Sequence, residues 1–206
     1  MFLKKIKFNN QGVTLLEMIV TLGIFVSAII IMSTYIIQSY TASRFSIEQS
    51  DAIEYAKKGI IKISKEVREA SFGDNGDFPI AEALDQSLTF YSDIDMDESV
   101  EKVRFYLNGT DLIKGVIEPS GNPPTYLPES EATTTISQYI RNNAEPTFQY
   151  YLGGNPATQT PLPMPVNPNI IKLVRIYLKI NINPAKAPDN YILENYIQIR
   201  NLKTNL

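Results

Sequence analysis

The chain of 206 residues contains no cysteine, no histidine and no tryptophan. Without cysteine there can be no disulfide and no thiolate nucleophile or ligand, and without histidine the commonest general base and metal ligand is missing. Such a fold must rest on its core and its hydrogen bonds, and the composition carries no mark of a redox compartment. Charge of one sign is also scarce: 19 Lys plus Arg stand against 22 Asp plus Glu, which gives no field for a polyanion, so nucleic acid is not an expected partner. There is no phosphate-cradling glycine loop and no G-x-S-x-G elbow, and the common triads are unavailable. The chain therefore reads as a non-enzyme with no cofactor; a Ser–Lys or carboxylate pair, which meets only in three dimensions, is the residual enzymatic alternative. At 44% hydrophobic and 20% charged, it has the composition of one globular domain plus an appendage.

Charge is absent altogether from Met18 to Ile37. At about 1.5 Å per helical residue, this run of about twenty residues covers the ~30 Å of a hydrocarbon core. Lys4, Lys5 and Lys7 precede it, and after Glu17 the next charge is Arg44. That asymmetry predicts an N-terminus in the cytoplasm and the bulk of the chain outside. A secretory signal would have a shorter apolar region followed by a small-residue cleavage site, and no clear one follows here. A plain single-pass anchor fits the hydropathy but leaves Glu17 unexplained, and a carboxylate at the edge of an apolar run is a functional candidate. The bland reading is that it sits at headgroup level or snorkels.

Gly12 followed by Val13-Thr14-Leu15-Leu16-Glu17 resembles the G/FTLLE processing motif of type IV pilins and type II secretion pseudopilins. The resemblance is sharp but covers only about thirty residues. It implies a leader, residues 1–12, removed after Gly12 by a membrane prepilin peptidase that then methylates the new amine of Val13. Phe is usual where Val13 stands. Loss of the three lysines would move the net charge from −3 to −6. It also implies that Glu17 neutralises the terminal amine of a neighbouring subunit during assembly. The physics agrees, because a carboxylate in a low dielectric is costly alone and much less so beside an ammonium. The implied partners are other pilin or pseudopilin subunits, the prepilin peptidase, an inner-membrane assembly platform and membrane lipid. The implied location is the bacterial cytoplasmic membrane, crossed once, and then an extracytoplasmic filament.

Beyond the apolar segment, residues 13–37, helical spacing continues over 38–72, with Ile53, Ala56, Ile60, Ile63, Val67 and Ala70 on one face. Glu54, Lys57, Lys58, Lys62, Lys65, Glu66 and Glu69 lie opposite and are expected in solvent, and Gly73-Asp74-Asn75-Gly76 ends the helix near Ser71. A zone rich in Ser, Thr and Gln, residues 38–50, is where a bend or fraying is expected. The stripe spans under three heptads, which favours an intrachain core contact over a coiled coil. Residues 73–206 read as a β-rich globular domain. Strands are expected at Leu88–Ser92, Val100–Leu107, Leu112–Ile117, Thr147–Leu152, Leu173–Ile182 and Tyr191–Ile199, with a hairpin turn at Asn108-Gly109. Residues 118–135 and 153–169 are proline-dense and expected as loops, with a short helix at Ile136–Arg141. The sum is an α+β fold, a long N-terminal helix packed on an antiparallel sheet. The order of elements and the closing IQIRNLK resemble the J-type minor pseudopilins and W-type minor pilins.

Asp93-Ile94-Asp95-Met96-Asp97-Glu98 shares the D-x-D-x-D start of a calcium loop. The match then fails, since Glu98 stands where glycine is needed and Arg104 where a bidentate Glu is needed. A solvated acidic turn is the simpler reading, and weak calcium binding through Asp93, Asp95 and Asp97 is the alternative.

These features lead to the expectation of a minor subunit of a secretion pseudopilus or pilus-like filament. The rivals are a major structural pilin, a membrane-anchored binding module that never polymerises, and a competence pilin for DNA uptake. Two proline-rich loops would crowd a repeating shaft, and the absence of a basic patch argues against DNA.

Overall fold

The computed structural model describes residues 12–186 and 189–200. The expected leader before Gly12, including its lysines, lies outside the described residues, as does the end of the IQIRNLK motif. The chain divides into two compact units between Ile47 and Glu48. One helix, α1, runs over Leu15–Arg68, and helical hydrogen bonding is continuous through the Ser- and Thr-rich zone.

In the first unit α1 is long and apolar enough to cross a membrane, with a mean hydropathy of 2.5 over its best 18-residue window and none of that window buried. The serine and threonine hydroxyls within the uncharged run are satisfied locally. Thr21 donates to the Glu17 and Met18 carbonyls, Ser27 to that of Gly23, Ser33 to that of Ile29, and Thr34 to those of Ile30 and Ile31. A hydroxyl bonded to the carbonyl one turn back presents no unpaired polar group to an apolar medium.

In the second unit the remaining helix buries one face: Ala52, Ala56, Ile60, Ile63 and Val67 are each at most 7% exposed. Two antiparallel sheets supply the rest of the core. The first has the order β1 (Ile80–Ala83), β2 (Ser87–Ser92), β3 (Glu101–Asn108), β4 (Asp111–Ile117) and β5 (Ala132–Ser137). The second is β6 (Phe148–Tyr151), β7 (Leu173–Ile180) and β8 (Tyr191–Gln198). Alternation places Leu88, Phe90, Val103 and Phe105 of the first sheet, and Val174, Ile176, Leu178 and Ile180 of the second, in one core with no exposure. In the β3–β4 hairpin Asn108 pairs with Asp111, and Gly109 takes the positive φ of 62° that a two-residue turn requires.

Polar contacts stitch the helix to the sheets. Gln49 reaches the end of β7, donating to the Ile180 carbonyl and accepting from the Ile182 amide. Ser64 accepts from Asn195 of β8 at 2.7 Å. A Cβ on Gly59 would sit 2.7 Å from Cγ2 of Ile136, so glycine there allows β5 to approach the helix closely.

Several expectations need correction. Residues 132–137 form strand β5, where a loop and the start of a short helix were expected. Three consecutive threonines followed by Ile136 are β-branched, prefer an extended backbone, and find the free edge of β4. The four-residue β1 lacked enough alternation to be seen. Glu66, assigned to the solvated face, is 8% exposed and pairs with buried Lys114 of β4 at 2.7 Å. The helix stops at Arg68, three residues before the expected end. The sheet is two sheets, because β6 continues from the irregular segment after β5 and pairs with β7 alone.

Candidate functional site

Gly12, Val13 and Thr14 precede the first turn of α1. Thr14 occupies the N-cap position: its carbonyl accepts the amide of Met18 at 3.2 Å, the first bond of the helix. Its hydroxyl accepts the Glu17 amide at 3.3 Å, while Glu17 Oε2 accepts the Thr14 amide at 3.0 Å and the Thr14 hydroxyl at 3.1 Å. This is a reciprocal capping box, which satisfies donors that the helix start would otherwise leave bare. The negative carboxylate also sits where the helix dipole favours it. The sequence signal was present, since Thr14-x-x-Glu17 has capping-box spacing, but the processing motif occupies the same residues and drew the reading toward charge alone.

Both bonds to the Glu17 side chain use Oε2. Gly12 is exposed, a Cβ there would meet nothing within 4 Å, and its φ lies outside the positive range. Among the described residues, neither packing nor backbone geometry requires glycine at position 12. Val13 is 69% exposed, and the apolar side chains that follow it on α1 up to Tyr40 are exposed on all sides of the helix.

The acidic loop between β2 and β3 is the second candidate. One carboxylate oxygen each from Asp93, Asp95 and Glu101 lies within 4.8 Å of the others. Glu101, the first residue of β3, pairs with Ser92 across the sheet and is completely buried. Its Oε2 accepts the Ile94 amide at 2.7 Å, and its Oε1 has no hydrogen-bond partner among the described residues. Burial foremost, with repulsion from Glu118 and Asp95 adding to it, pushes the Glu101 carboxyl up to about 7 against the pull of the Ile94 amide. Glu118 is raised as well, by burial and then by Asp95 and Asp97. Asp97 is not part of the group. Its Oδ1 accepts from both the amide and the hydroxyl of Ser99, which hold its carboxyl below the usual range. Sequence reasoning missed Glu101 because it lies outside the D-x-D-x-D pattern, and only the β2–β3 pairing returns it to Asp93.

A third feature of the second unit is a cleft of about 510 Å³ between α1 at Asp51 and Tyr55 and β5 at Thr135 and Ser137. Its carboxylates, Glu48 and Asp51, make it a poor site for anions.

No protein-family model matches the chain, and no curated protein matches it.

Proposed function

We propose that the chain is a minor subunit of a type II secretion pseudopilus or type IV pilus-like filament, cut after Gly12 and anchored by the apolar part of α1. Its role is structural and assembly-directed. The N-terminus faces the cytoplasm, and the β-rich unit lies outside, where it touches sibling subunits.

The observation that carries this reading is the segment Gly12-Val13-Thr14-Leu15-Leu16-Glu17 leading directly into a stretch of α1, Met18 to Ile37, that is apolar on all faces and unburied. Such a surface calls for lipid or other helices around it. The lack, among the described residues, of any conformational need for Gly12 supports a requirement imposed from outside the fold, as by a peptidase. The capping box favours a second role for Glu17, as a helix cap in the unassembled subunit. The two roles are compatible, since Thr14 engages only one of the carboxylate oxygens, and cleavage after Gly12 would leave both capping residues in place.

Substitution separates charge from cap. Glu17→Gln keeps an acceptor for the Thr14 amide and removes the charge, whereas Thr14→Ala removes the cap and keeps the charge. The expected outcome in the native host is a mass-determined N-terminus at N-methyl Val13. Incorporation into sheared filament fractions should be lost for Glu17→Gln and largely kept for Thr14→Ala. An intact leader, or normal incorporation of Glu17→Gln, refutes the filament reading and leaves a plain membrane-anchored module.

A further inference from the structure

We propose that Asp93, Asp95 and Glu101 form a binding site for a divalent cation of the calcium class. The inference concerns the second unit alone and does not depend on the filament reading.

The donor set consists of oxygen atoms, which suits a hard cation rather than a thiophilic metal. Its dimensions accommodate such an ion. Calcium–oxygen bonds of about 2.3–2.6 Å place two oxygens on opposite sides of the ion at roughly 4.6–5.2 Å, whereas magnesium, at about 2.0–2.1 Å, needs roughly 4.0–4.2 Å. The three donors lie within 4.8 Å of one another, so calcium can be held with little contraction of the loop.

Three converging carboxylates are not by themselves a site, because exposed acidic groups commonly cluster without a ligand. The decisive feature is Glu101. It is 0% exposed, fixed at the start of a central strand, and bonded through Oε2 to the Ile94 amide of the same loop. Among the described residues its buried Oε1 has no hydrogen-bond partner. Buried polar atoms are almost always hydrogen-bonded, and a buried carboxylate oxygen left bare beside two further carboxylates is an expensive arrangement. A cation shared with Asp93 and Asp95 satisfies that oxygen and turns the mutual repulsion into attraction. Glu118 lies one residue beyond the end of β4, opposite Glu101 when the Lys102–Ile117 register is continued, and its charge deepens the potential. Asp95 is exposed and Asp93 half-exposed, so an ion can enter with part of its water shell. With three carboxylates and water completing the shell, the affinity falls in the range of extracellular calcium modules, about 10⁻⁴–10⁻³ M.

The test is calorimetric titration of calcium chloride into the full chain, stripped with chelator and held in detergent micelles at 0.15 M salt. A single saturable event in that range is expected, at least tenfold weaker with magnesium chloride. Asp95→Asn and Glu101→Gln should each weaken it tenfold or more, while Asp97→Asn should leave it within about twofold. The thermal midpoint of the parent chain should rise by several degrees in 10 mM calcium, and that of Asp95→Asn should not. Asp95 is exposed, so its variant stays informative even if the Glu101 change disturbs folding. No saturable binding below 10 mM overturns the proposal. So does an Asp97→Asn loss equal to that of Asp95→Asn, which would mark a diffuse acidic surface.

Discussion

Lys114 and Glu66 form the ion pair on which the attachment of the helix to the first sheet can be tested most sharply. Their side chains are 6% and 10% exposed, Nζ lies 2.7 Å from Oε1, and Oε2 of Glu66 is buried with no hydrogen-bond partner among the described residues. With an effective dielectric of about 20, attraction at this distance is ~6 kcal/mol. Desolvation costs several kcal/mol per ion, so the pair contributes close to nothing net. Removing one partner is a different matter, because the other charge stays buried without compensation. Lys114→Met should destabilise the fold by about 3–5 kcal/mol, and Glu66→Leu by a similar amount. Against a typical total of about 5–15 kcal/mol, either loss is a large fraction. The double variant places two apolar chains of fitting size beside Phe105, whose ring already lies 5.9 Å from Nζ, and should return to within about 1 kcal/mol of the parent. Urea unfolding of the full chain in micelles measures this, followed through the near-ultraviolet signal of the buried Tyr91 and Tyr150. A double variant as unstable as the worse single one, or a Lys114→Met cost below about 1 kcal/mol, would refute the reasoning.

Two further perturbations probe other joints of the fold. Tyr150 of β6 donates its hydroxyl to the carbonyls of Leu84 and Ser87, at 2.7 and 3.1 Å, and so links the second sheet to the β1–β2 turn of the first. Tyr150→Phe should cost about 1–2 kcal/mol in the same urea assay, and an unchanged midpoint would show that the link is dispensable. Asp77 accepts from the Tyr91 hydroxyl and from Asn75, which hold its carboxyl below the usual range. A carboxyl lowered by folding stabilises above its unfolded value, about 3.9, and loses that contribution as pH falls through the folded value. The stability gap between parent and Asp77→Asn should therefore be larger at pH 7 than at pH 3; an equal gap at both would dismiss the ionic part of the contact.

The sequence was most legible where one physical rule acted alone. Alternation along Val174, Ile176, Leu178 and Ile180 needs only a half-buried strand, and every one of those positions is in the core. The helix face from Ala56 to Val67 follows in the same way from a period of 3.6. Legibility failed where a partner far along the chain decides the outcome. Glu66 has the polarity of a solvated residue, and only Lys114, on a strand 48 residues away, makes its burial tolerable. Strand β5 has a proline-rich approach that reads as loop, and its state is set by the edge of β4. Glu101 was invisible as a site residue because its relation to Asp93 runs through the Ser92–Glu101 pairing and not through spacing.

The two stretches of α1 also differ in how they meet the need to leave water. From Met18 to Ile37 no face is polar, and the four Ser and Thr hydroxyls are turned back on the helix. Such a surface gains nothing from a single-sided core and is suited to surroundings that are apolar in every direction. From Ala52 to Val67 the opposite holds: one stripe is buried against strands, Gly59 trims the contact, and Glu54 and Lys58 pair across the exposed side at 2.7 Å. Glu17 stands at the start of the all-apolar stretch, where the cap keeps its charge tied to the helix terminus. If that charge serves only the cap, Gln at the same place should serve nearly as well. If a neighbouring amine is its partner, Gln should fail while the helix itself stays intact by circular dichroism.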